Sequence, residues 1–224
     1  MPGIPAKSLI GKLNATCRRG MEAAAGLCVS RTHFHVEIEH WILKLIETPG
    51  TDLPIVLKQY NLDVNRTKRE LNAALDQFKT GNGRGPDLSF EILDAIREAW
   101  VLASLEYGAH RVRSAHLLTA MLNDRSMGMR LRAAAPELNK LNAELVQKEL
   151  GTLLAHAKSD ESEQEAAAAQ EAGASGGGGG DGPSPSAAGS KTPSLDQFTM
   201  NLTERAREGK IDPEIGRASC RERV

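Results

Sequence analysis

The residues with the most reactive side chains are His33, His35 and His40, set within eight positions, and Cys17 and Cys28 a little upstream. Clustered imidazoles suggest zinc, which in structural sites takes four nitrogen, sulfur or carboxylate ligands. No second Cys/His pair stands at ligand spacing, so these histidines read as polar residues in a turn between paired helices. Hydrolysis through a thiol needs a nucleophile, a base and an orienting group that meet in space. Neither cysteine carries a surrounding signature of that kind, and Cys28 falls on an apolar helical stripe, which favours inert burial. Nucleotide chemistry needs a G-x-x-x-x-G-K-[ST] loop to cradle phosphates. None occurs in the 224 residues, and the nearest approach, Gly189-Ser-Lys-Thr192, has an extra residue between glycine and lysine. The expectation is a chain with no catalytic residue, no metal and no cofactor of its own.

The framework holding these residues reads as all-α. Aromatics are 4% of the chain, so the core must be built from Leu, Ile, Val, Ala and Met, which favours close-packed helices over a β-sandwich. No apolar run approaches the roughly 20 residues that span a bilayer, and the N-terminus lacks the apolar stretch of a signal peptide. The odd count of three cysteines suits reduced thiols and a cytoplasmic location. Residues 1–158 carry 21 Lys and Arg against 17 Asp and Glu, too small a surplus to argue for nucleic acid. Neither nucleic acid nor membrane is an expected partner.

Apolar periodicity and capping residues divide the chain. Ser8 is the expected N-cap of a short first helix bearing Leu9, Ile10 and Leu13. Further helices are expected over 17–30, over 36–47 with Ile38, Trp41, Ile42 and Leu45 on one stripe, and from an Asp52 cap to Tyr60. Asp63 caps a helix carrying Val64, Leu71, Leu75 and Phe78. After the glycine-rich break Thr80–Asp87, Ser89 caps a helix to Leu105 and Ser114 caps one over Leu117 to Leu122. Two more cover 126–134 and 138–156. From Ser159 to Pro193 almost nothing apolar and larger than alanine is offered for burial, so 159–193 reads as a disordered tether, with 165–172 able to prolong the helix before it.

An internal repeat lies before the tether. Ala23–Ile46 falls over Ala99–Leu122 at a constant shift of 76, pairing Ala23 with Ala99, Val36 with Val112 and His40 with His116. Helix, polar turn and helix come in the same order in both copies, and two such units would bury one continuous core. His40 and His116 share a repeat position, which suits a helix-start role better than catalysis.

The repeat resembles the Clp N-terminal domain over residues 1–158. Lys12-Leu13-Asn14, Cys17-Arg18-Arg19, Glu39-His40-Trp41-Ile42 and Glu98-Ala99-Trp100-Val101-Leu102-Ala103-Ser104, with the extra helix ahead of the first copy, resemble the ClpV (TssH) unfoldases of type VI secretion. Residues 194–217, ending Ile211-Asp-Pro-Glu-Ile-Gly-Arg217, resemble the opening of the first AAA+ module of the Clp/Hsp100 family. There Ile215 and Gly216 would lie beside a nucleotide's adenine, here without a P-loop to act with. Glu214 stands where the family has an apolar residue, and 218–224 read as a tail foreign to it. The chain thus reads as a recruiting domain, a tether and a stub of a motor.

The resemblance implies a helix-receiving role. The first helix either pads the core or forms one wall of a groove, a recurring recognition mode. ClpV-type proteins are implied to hold an N-terminal helix of the sheath subunit TssC (VipB) there. The expected groove is Leu9, Ile10 and Leu13 on one wall, and Leu88, Phe90 and Ile92 on the other. ATP, magnesium and a hexamer belong to AAA+ modules missing here. The alternative is the N-domain of a ClpB-type disaggregase binding unfolded polypeptide.

Overall fold

Ten α-helices arise among residues 4–174, which are the residues described by the structure, a computed structural model. They are α1 (Ala6–Ile10), α2 (Ala15–Ser30), α3 (Ile38–Glu47), α4 (Leu53–Gln59), α5 (Val64–Leu75), α6 (Phe90–Glu106), α7 (Ser114–Asn123), α8 (Arg125–Ala134), α9 (Ala143–His156) and α10 (Asp160–Ala174). A 3-10 turn over Pro136–Lys140 separates α8 from α9. Residues 194–217 and 218–224, with Ile215 and Gly216, lie outside the described residues.

Side-chain caps start several helices by satisfying backbone N–H groups that have no partner within the helix. Asn14 accepts from the Cys17 N–H at 2.7 Å, Asp63 from Asn65 at 2.8 Å and Asp124 from Met127 at 2.8 Å. The repeat uses one device twice. His40 Nδ1 accepts the Glu37 N–H at 3.1 Å, and His116 Nδ1 accepts the Arg113 N–H at 3.3 Å, so each imidazole closes the first turn of its helix. Both histidines are helix-start residues, as their shared register predicts.

The two halves interlock by short strand pairings. β1 (His35–Val36) runs parallel to β2 (Asp87–Leu88), with Val36 opposite Leu88. In the other half Leu13 pairs with Val112, where Asn14 N–H donates to the Val112 carbonyl at 3.1 Å and Val112 N–H to that of Lys12 at 2.9 Å. Each repeat's turn valine is thus paired to the segment that opens the other repeat's first helix. Between them lies one core in which Leu13, Trp41, Ile42, Leu45, Leu71, Ile92, Ile96, Leu117 and Met121 are all fully buried.

Several expected boundaries move for physical reasons. Ser8 lies inside α1, whose N-cap is Pro5. Val36 leaves its helix to join β1. Asp52 precedes α4, but its carboxylate pairs with Arg113 instead of capping. Ser89 stands at the cap position of α6 without a capping bond, and Ser114 is the first residue of α7 with its hydroxyl on Glu161. Phe78 falls beyond α5. The expected helix 138–156 breaks at Asn142, whose side chain caps α9 at Leu145 N–H, 3.2 Å away. The largest difference concerns the tether: 160–174 form a helix of their own, and its first turn belongs to the domain, because Glu161 is fully buried.

Candidate helix-receiving groove

The first wall of the expected groove is anchored from behind. Leu9 is buried and Leu13 is fully buried, both part of the core cluster, while Ile10 is half-buried against it. The Leu13–Val112 pairing and a bond from the Arg111 guanidinium to the Gly11 carbonyl at 2.5 Å fix the corner where α1 turns into α2. α1 packs against α6, with Lys12 placed over Trp100, while Leu13 pairs with Val112 and Leu88 with Val36.

The second wall divides in the same way. Ile92 is fully buried, Leu88 is half-buried, and Phe90 is 85% exposed at the first position of α6. Of the six expected groove residues, Leu9, Leu13 and Ile92 therefore support the walls from inside, whereas Ile10, Leu88 and Phe90 remain open to a partner. Sequence reasoning missed Leu93 and Trp100, which are half-buried against the core. Lys12 Nζ lies 4.2 Å from the Trp100 ring centroid, a cation–π contact tying the α1 corner to α6. Phe90, Leu93 and Trp100 recur at helical spacing, and that stripe was readable in the sequence. Ile4, ahead of α1, is 59% exposed. The two packed helices carry exposed or half-buried apolar side chains, with Lys12 over Trp100, the kind of surface that takes the apolar face of a helix.

The reactive side chains lie elsewhere and are locked. His40 Nδ1 is occupied as an acceptor, so its Nε2–H faces His33 Nδ1 at 2.8 Å, a neutral pair. Burial and the neighbouring imidazole hold His40 down at about 4, and burial also lowers His33. His116, stacked on Tyr107 with ring centroids 5.2 Å apart, is likewise lowered by burial to about 4. His35 is exposed on β1 and makes no side-chain hydrogen bond to that pair among the described residues. No group of three or more metal-ligating side chains is gathered among the described residues. Burial pushes Cys28 up to about 11, with its thiol donating to the His35 carbonyl at 3.2 Å. Cys17 is raised well above the ordinary thiol value by burial and the Glu161 carboxylate it faces at 3.1 Å. Neither thiol is an activated nucleophile.

The model of the Clp repeat (R) N-terminal domain matches residues 12–134, and the chain belongs to that family. α1 lies ahead of the matched segment. Within the family the chain is similar to the N-terminal parts of Clp/Hsp100 ATPases of two kinds. The chaperone ClpB of Yersinia enterocolitica is 36% identical over 215 residues, 96% of this chain. The AAA+ ATPase ClpV1 of Pseudomonas aeruginosa is 33% identical over 217 residues, 97% of this chain. Each is matched over 24% of its own length, so the chain spans about a quarter of these relatives. A solved complex of a ClpV N-domain with a VipB peptide superposes with a TM-score of 0.60 at 28% identity, covering 69% of this chain and 94% of that one.

Proposed function

We propose that the domain receives a helix from a type VI sheath subunit of the TssC/VipB kind, as the recognition step of a ClpV-like ATPase that disassembles contracted sheaths. The observation that carries this reading is α1, which lies ahead of the family-matched segment and packs on α6, the helix that carries Trp100 under Lys12 and, at its first position, the exposed Phe90. The likeness to a ClpV N-domain solved with a VipB peptide supports the same reading. In this proposal the recognition domain extends to Ala174, residues up to 193 link it onward, and 194–217 open a first AAA+ module. ATP, magnesium and hexamer formation belong to the longer cytoplasmic protein. Modest affinity of one domain would be raised by avidity in such an assembly.

The second reading, a ClpB-type domain binding unfolded polypeptide, is favoured by the higher identity to ClpB of Yersinia enterocolitica. A titration separates them. The 224-residue chain is titrated with a labelled N-terminal peptide of a TssC/VipB-type sheath subunit and, separately, with a permanently unfolded polypeptide. Saturable binding of the sheath peptide, weakened about tenfold or more by Phe90→Asp and by Ile10→Asp, is the expected result. Preference for the unfolded chain, unaffected by either variant, favours the second reading.

A further inference from the structure

α10 is docked by polar side chains. After Glu161 its side chains through Gln170 are Ser162, Glu163, Gln164, Glu165, four alanines and Gln170, so it has no large apolar face to bury. It is held by one deeply placed hook. Glu161 is 0% exposed, and its Oε1 accepts from the Asn14 amide at 3.0 Å, the Ser114 N–H at 3.1 Å and the Cys17 thiol at 3.1 Å. Its Oε2 accepts from the Ser114 hydroxyl at 2.6 Å and the Asp52 N–H at 2.9 Å. These donors come from the start of α2, the start of α7 and the turn before α4, so one carboxylate gathers both repeats. The donors and the helix dipoles favour negative charge on this carboxyl, in opposition to burial and the adjacent Asp52.

Lighter contacts flank the hook. The Ser159 hydroxyl donates to Asp52 at 2.6 Å, Gln164 accepts from the Ala15 N–H at 3.0 Å, and Glu165 accepts from the His110 N–H at 2.5 Å. Gly50 has φ +77°, and a Cβ there would overlap the Asp160 side chain, so the turn after α3 leaves room for this helix.

We propose that residues 159–174 are a detachable latch, hooked by Glu161, that opens and closes as a unit on the intact domain and sets where the chain beyond residue 174 departs. Alanines and an acidic first turn suit a helix, but a lone helix of 15 residues is marginal in water, so release melts α10. Closed, the helix is about 22 Å long. Open and extended, residues 159–174 reach about 50 Å, which changes how far the domain sits from whatever follows. Withdrawal of the carboxylate leaves the donors of Asn14, Ser114 and Asp52 to water, and water reaches them only once α10 has left. Hook and helix therefore move together.

Hydrogen exchange of the full 224-residue chain tests the latch by comparing 160–174 with the core helix α3. In the wild type 160–174 is protected yet opens well before α3. Glu161→Ala raises exchange over 160–174 about tenfold or more while α3 is unchanged, and the exposed-site control Glu163→Ala changes neither. The double variant Gln164→Ala/Glu165→Ala keeps the hook and produces a smaller rise. Continued protection of 160–174 in Glu161→Ala overturns the proposal. So does loosening of α3 in step with 160–174, because the latch is then inseparable from the core. A double variant as severe as Glu161→Ala removes Glu161 from its role as the hook.

Discussion

The two strand pairings sit at related positions of the repeat but are finished differently. At the Leu13–Val112 pairing the helix starts are sealed: Arg113 binds Asp52 through two bonds of 2.8 and 2.9 Å, Asp52 is fully buried, and Glu161 of α10 fills the remaining space. At the Val36–Leu88 pairing the central cation is Arg130, half-open to solvent among Glu37, Glu39 and Glu91. There the Ser89 hydroxyl has no hydrogen-bond partner among the described residues, and Phe90 is 85% exposed. One junction is closed by the chain's own helix and the other is left uncovered. The duplicated scaffold thus spends one related helix start on internal anchorage and leaves Phe90 at the second exposed.

The largest expected effect breaks the sealed junction. Arg113→Met strands the Asp52 carboxylate in the interior and should cost about 3–5 kcal/mol in urea unfolding, whereas Arg130→Met strands the buried Glu39, whose carboxyl burial already raises and which is therefore more readily neutralised, and should cost less. Equal losses would erase the distinction between the junctions.

Acid should act next. His40 and His116 have folded pKa values lowered to about 4 from 6.5, so both disfavour protonation of the native state. Their contribution is complete above about pH 6.5 and is lost as pH falls toward about 4. Thermal melts across that window should show falling stability, and His40→Gln or His116→Gln should each flatten the profile to a similar degree. A profile unchanged by either variant would contradict their matched roles.

A smaller, local effect of opposite sign concerns the latch. Burial and the Asp52 charge push Glu161 up to about 7 from 4.5, against the donors that lower it. A raised carboxyl favours the closed state at low pH, so its contribution is full below about pH 4.5 and lost as pH rises through about 7. Exchange over 160–174, corrected for the intrinsic pH dependence of amide exchange, should rise relative to α3 between about pH 5 and about pH 8. In Glu161→Gln it should stay level. The smallest effect on stability is expected for Phe90→Ser, within about 0.5 kcal/mol of wild type in the same urea unfolding, because its ring packs little.

Helix content and the repeat were legible because they rest on local periodicity and on a shift of 76 that aligns Val36 with Val112 and His40 with His116. For the expected groove residues, the sequence did not separate exposed positions from core ones. Leu9, Leu13 and Ile92 satisfy the same apolar pattern whether they face a partner or the core, and only packing decides between those. The role of α10 was hidden for a different reason. Composition after Ser159 offers little to bury, and nothing local marks Glu161 as the residue whose carboxylate meets donors from Asn14, Cys17, Asp52 and Ser114, each more than 40 positions away. Ser114 misled for the same reason, since its hydroxyl serves Glu161 and not its own helix.

The most direct test of the helix-receiving groove proposed between α1 and α6 is a hydrogen-exchange footprint of the 224-residue chain with and without a helical N-terminal peptide of a TssC/VipB-type sheath subunit. The account predicts added protection confined to residues 6–13 and 88–100, with the start of α2 and all of α10 unchanged. Protection centred on the α2 start or α10, or none at saturating peptide, would contradict it.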